Sequence, residues 1–136
     1  MVEVNYVAVL VAAVASFVVG FVWYHPSVFG TMWMRLAGMT PSAMEAGKKK
    51  MMQSMVLAFV GSVIMAYVLT HFIAVWGAND FMGALQLGFW TWLGFQMPIQ
   101  LGSVLWEQKS WNLFALNGAY WLVNTIVIAE VLVWMM

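Results

Sequence analysis

The chain contains no cysteine, and only 7% of its 136 residues are charged. Without cysteine there is no disulfide framework and no thiolate to hold a metal or attack a substrate. A water-soluble domain carries roughly 25% charged residues, so this chain lacks the means to solvate its own surface. The same shortage excludes a nucleic-acid binder, which needs a basic face, and a disordered chain, which needs charge in place of apolar side chains. What is present instead is 65% hydrophobic residues, with 9 Trp and 13 Met, and a mean hydropathy of +0.90. This is the composition of an integral membrane protein whose first partner is the lipid bilayer.

A helix needs about 20 apolar residues to cross the hydrocarbon core. Four runs meet that length, at about 2–24, 51–76, 81–106 and 111–135. Each stays apolar throughout, where barrel strands would alternate over ten-residue segments. The predicted fold is therefore all-α, a single-domain four-helix membrane bundle. Basic residues mark the cytoplasmic side. Arg35, Lys48, Lys49 and Lys50 lie in the first connection and Lys109 in the third, while the second, Gly77 to Asp80, has none. All five therefore fall on one side, which predicts both termini outside the cell membrane. Ala13-Val14-Ala15 imitates a signal-peptidase site, but the residues before the first span carry Glu3 and no positive charge, so the span is expected to be retained.

The connection at 26–50 is too apolar for water, with Val28, Phe29, Met32, Trp33, Met34, Leu36 and Met39. It is expected to lie along the inner interface. Thr40-Pro41 reads as an N-cap followed by proline at the first helical position, so a short helix should start there. Lys48 to Lys50 then serve as a topology anchor, with anionic headgroups as the other reading. Trp23, Trp33, Trp106 and Trp111 fit an inner aromatic belt, and Trp76 and Trp134 an outer one.

Ala8, Ala12, Ser16 and Gly20 recur every four residues and form one flat stripe on a helix. Such stripes let backbones approach closely in lipid. Ser54, Ala58, Gly61 and Ser62 repeat the theme on the second span, which predicts contact between the two helices. Polar residues also share faces. Gln96, Gln100, Ser103 and Glu107 line one side of the third span, and Asn117, Tyr120 and Asn124 one side of the fourth. Two readings stay open for them, an interhelical hydrogen-bond network and a polar path for a small solute. Pro98 should kink the third span, because it cannot donate to the carbonyl of Gly94.

No cofactor or metal is expected. His25 and His71 fall near opposite faces, so within one chain they cannot share an iron. The Met cluster from Met32 to Met55 offers soft thioethers without any thiolate, and gap-filling is the simpler account of it. There is no metalloprotease, nucleophile-elbow or phosphate-loop motif, and no ionisable residue is central in the membrane, so an enzyme is not expected.

Trp23-Tyr24-His25-Pro26, followed by Phe29-Gly30 and Trp33-Met34, resembles a family of small four-span bacterial membrane proteins known as domain of unknown function 1761. Met65 to Leu69, Trp92 to Phe95, and Leu113-Phe114 with Asn117 and Tyr120 are similar to its later motifs. The resemblance spans essentially the whole chain and implies a bacterial inner-membrane location without implying an activity. It draws attention to the elbow made by Trp23, Tyr24, Pro26, Phe29, Gly30 and Trp33. Two functions are carried forward. The chain is an oligomeric channel or transporter for a small solute or ion, or it is a non-transporting structural, sensing or partner-binding module that engages another membrane protein. Assembly into a homo-oligomer is expected in either case.

Overall fold

The computed structural model describes residues 2–136, and every regular element among them is helical. The order is α1 (Tyr6–Trp23), a π-helical turn (Pro26–Gly30), α2 (Thr31–Leu36), α3 (Pro41–Lys49), α4 (Met51–Trp76), α5 (Phe81–Thr91), a second π-helical turn (Trp92–Gln96), α6 (Met97–Gln100), α7 (Gly102–Leu105) and α8 (Trp111–Trp134). Local chemistry sets the starts. Asn5, Thr40, Asp80 and Ser110 are each extended and accept a backbone N–H from Ala8, Ala43, Gly83 and Leu113 respectively. This satisfies donors that the first turn of a helix otherwise leaves free. Gly77 ends α4 in the left-handed region at φ +77°, a conformation glycine adopts without steric cost.

Three helices, α1, α4 and α8, are long and apolar enough to cross a membrane. The run at 81–106, expected as a fourth continuous span, is instead broken into α5, a π-helical turn, α6 and α7. The cause lies around Pro98. Proline has no N–H to donate, and one turn ahead of it the ladder widens, so that the Met97 N–H bonds to the Trp92 carbonyl five residues back. The break therefore sits before the proline as an extra residue per turn, where a simple kink was expected. Downstream of α7, the Lys109 N–H returns to the Ser103 carbonyl at 3.0 Å, with Gln108 at φ 63° in the turn that leads into α8.

Packing is unequal along the bundle. One end carries the chain termini and the Gly77–Asp80 turn, and there α1, α4, α5 and α8 close on one another. Ala12, Ala66, Ala84, Leu87, Ile128 and Ala129 are completely buried. Small residues let the backbones meet. A Cβ placed on Gly88 would lie 2.9 Å from the Ile126 Cα across the α5–α8 contact. Asn5 also ties the termini together by donating to the Met135 carbonyl at 2.9 Å. Trp76 and Trp134 stand exposed at this end, and Trp106 and Trp111 at the other, as interfacial tryptophans do.

The other end carries the basic connections and is looser. Ala8, Ala12 and Ser16 are buried as the stripe on α1 predicts, but Gly20 faces α8, where a Cβ added to it would lie 3.3 Å from the Tyr120 hydroxyl. The expected contact between small faces of α1 and α4 is therefore made only in part. The Ser16 and Ser62 hydroxyls are 3.3 Å apart, whereas Ser54, Ala58 and Gly61 face open space, and a Cβ on Gly61 meets nothing within 4 Å. Bulky Phe17, Phe21, Tyr24 and Trp121 occupy the opposing surfaces and hold α4 away. Two glycine substitutions separate the ends. Gly88→Ala should lower unfolding stability by about 1–3 kcal/mol through overpacking, while Gly61→Ala should leave it unchanged or slightly raised, both read by detergent titration of purified protein.

Candidate functional site

The looser half of the bundle is built around the elbow after α1. His25 is extended and its Nδ1 accepts the Ser27 N–H at 3.1 Å, while Pro26 occupies the first helical position of the π turn. The Thr31 hydroxyl donates back to the Pro26 carbonyl at 3.1 Å. Gly30 closes the elbow, because a Cβ there would run into the Tyr24 carbonyl and lie 2.9 Å from the His25 carbonyl carbon. Only glycine fits that approach. Trp23 packs on Phe29 with ring centres 4.6 Å apart, and Tyr24 on Trp33 at 5.9 Å. Trp23 and Trp33, expected in an inner aromatic belt, are half-buried and also pack the elbow itself.

The elbow is latched to α8. The Tyr24 hydroxyl donates to Asn117 Oδ1 at 2.8 Å, and its ring lies 5.0 Å from that of Tyr120. Two further bonds join α8 to the broken segment. Gln96 Nε2 donates to the Thr125 hydroxyl at 2.8 Å, and the Trp92 indole N–H to the Gly118 carbonyl at 2.9 Å. Trp92 and Trp121 read from the sequence as deep tryptophans packing between helices or against lipid tails, but Thr125 was not singled out. The signal was present, since Asn117, Trp121 and Thr125 are spaced by four and share a helical face.

The seven polar positions singled out on the third and fourth spans separate into four groups. Gln96, Gln100, Ser103 and Asn117 line one cavity of about 410 Å³ together with Phe95, Ile99 and Trp121. Tyr120 faces the other side of α8. Asn124 is buried in the core, 1% exposed, with no donor to its Oδ1 among the described residues. Glu107 stands exposed in the turn before α8, away from these walls. Ser103 turns its hydroxyl onto the Gln100 carbonyl of its own segment at 2.8 Å. Gln96 Oε1 is the second buried amide oxygen without a donor.

On the opposite side of Trp121 lies a larger cavity of about 800 Å³, bounded by α1, α3, α4 and α8. Its wall includes Phe17, Phe21, Met44, Met55 and Met65, with the Ser16 and Ser62 hydroxyls and Lys48 among its few polar groups. Its size lies within the roughly 300–1,000 Å³ of ligand pockets. The cavity is open on one side, since Phe21, Met51, Ser54, Ala58 and Gly61 along it are exposed, so in a bilayer it is lined by whatever the surroundings supply. Water is a poor filler, because it needs several polar partners and the wall offers few. Tyr24, Trp33, Met44, Tyr120 and Trp121 also border a neighbouring cavity of about 600 Å³ under the elbow. No cluster of metal-ligating side chains occurs among the described residues.

A family model described as "Protein of unknown function (DUF1761)" matches residues 7–133, nearly the whole chain. The chain belongs to the DUF1761 family. No curated protein and no solved structure matches it. Both the elbow and the cavity walls of this DUF1761 chain lie within the matched residues. The latch between the elbow and α8 can be measured. Tyr24→Phe should cost about 0.6 kcal/mol, the average for an interhelical bond in lipid. In a double-mutant cycle with Asn117→Leu, the two losses should not add.

Proposed function

We propose that this DUF1761 protein is a four-span protein of the bacterial inner membrane that holds an apolar or amphiphilic molecule from the bilayer and does not conduct. In this reading it is a binding or sensing module without enzymatic activity. The contrast between the two halves carries it. The half with the chain termini is sealed by Ala66, Leu87, Ile128 and Leu132, each 1% exposed or less, while the basic half opens around an apolar groove of about 800 Å³. A ligand can enter from one end and has no way through. The broken segment supports a fourth crossing, because it packs along α8 between Gly88 at Ile126 and Met97 at Gly118, with Trp92 and Gln96 bonded to the same helix. Irregular backbone at membrane depth is tolerated where protein buries it or a cavity borders it. The basic residues, all at one end, support an arrangement with both termini outside.

Transport is the second reading, favoured by one feature. The π-helical interruption lies beside Gln96, whose free Oε1 and the neutral wall of Gln100 and Asn117 offer hydrogen bonds to a small solute. Discontinuous helices near the midplane are where many transporters bind substrate. This reading requires the sealed half to open, or several copies to surround a shared path in a homo-oligomer. Reconstitution separates the two. Proteoliposomes should pass urea, glycerol and potassium at the rate of protein-free vesicles in stopped-flow and valinomycin-coupled assays. A protein-dependent flux that Asn117→Leu or Gln100→Leu abolishes, with assembly intact, would establish transport in its place.

A further inference from the structure

Resting on the binding reading above, we infer that the occupant of the larger cavity is an acyl chain of an anionic phospholipid from the leaflet at the basic end, its phosphate set against Lys48, Lys49 and Lys50. Depth is the first argument. From Met51 to Met65 the wall follows α4 for roughly 21 Å at the helical rise, more than half of the ~30 Å hydrocarbon core. The cavity is therefore long enough to take an acyl chain of one leaflet along its whole length. The serine pair in its wall, with the hydroxyls 3.3 Å apart, is already satisfied internally and asks nothing of an apolar chain.

Wall chemistry is the second argument. Met44, Met51, Met55 and Met65 carry flexible thioethers along the whole depth. Such side chains repack around an irregular, mobile chain better than branched ones do. The flexible methionines singled out in the sequence thus find a use without any metal.

Charge is the third argument. Lys48 lines the cavity, Lys49 follows it in the last turn of α3 and Lys50 links α3 to α4, so three basic residues cluster at one end of the groove. One carboxylate faces them, Glu45, which takes Lys48 at 3.3 Å and leaves Lys49 and Lys50 without a carboxylate partner among the described residues. All three lysines are exposed. The rim therefore carries net positive charge beside an apolar slot, which is the complement of an anionic headgroup on a hydrocarbon chain. Each basic residue near such a surface strengthens anionic-lipid binding roughly fivefold.

Native mass spectrometry of the detergent-purified full chain tests this. The protein is mixed with equal amounts of phosphatidylglycerol and phosphatidylethanolamine of identical acyl chains. Phosphatidylglycerol adducts should dominate, and the triple variant Lys48→Gln, Lys49→Gln, Lys50→Gln should erase that preference. Gly61→Phe, placed in open space, should remove adducts of both lipids without lowering helicity by circular dichroism. Ala58→Leu serves the same purpose should the first variant misfold. Loss of adducts in the filled variant without a headgroup preference would overturn the anionic inference alone. Adducts that the filled variant leaves untouched, or a lipid-free dimer in their place, would overturn both it and the binding reading.

Discussion

In hydrocarbon, helices gain nothing by hiding apolar surface, so they hold together only where their backbones come close enough for dense contact. In this protein that condition is met at one end. Ala12, Ala66, Ala84, Gly88 and Ala129 remove side-chain bulk from the surfaces where α1, α4, α5 and α8 cross, and there the bundle is solid. At the basic end the opposing residues are Phe17, Phe21, Tyr24 and Trp121, and the same helices stand apart. The open half and its cavities follow from that difference in residue size.

The elbow keeps the open half from being merely loose. α1 leaves its helix through Pro26, passes Gly30 at a distance no other residue allows, and sends the chain back under the bundle as α2 and α3. Tyr24 is fixed to Asn117, so the elbow and α8 move together. Trp121, on the next turn of α8, borders all three cavities at this end. A single indole is thereby part of the wall of each, a direct structural coupling between them. That coupling suits a binding or sensing protein, and it needs no continuous path.

Much of this was legible in the sequence. The apolar runs gave the long helices, Thr40-Pro41 gave the start of the short one, and the α1 stripe gave a buried face. Two things were not legible. Periodicity shows which residues share a face but not whether a neighbour comes close, so Ser54, Ala58 and Gly61 looked like a packing surface although bulky residues across from them keep it open. Likewise, Pro98 announces a missing hydrogen bond, but the ladder can absorb that loss over the preceding turn, and here it did so at Trp92–Gln96. The polar stripes were found as sets of residues. Their division among a cavity wall, the core and an exposed turn depended on helix rotation, which the spacing alone does not give.

The absence of cysteine allows the central claim to be measured directly, by placing single cysteines at Ser54, Ala58 and Gly61 and labelling each with a small fluorophore in vesicles. A half-open bundle filled by the bilayer predicts quenching by lipids carrying doxyl groups on their acyl chains and none by aqueous iodide. Quenching by iodide at these positions would mean that water reaches the cavity, and would contradict the account.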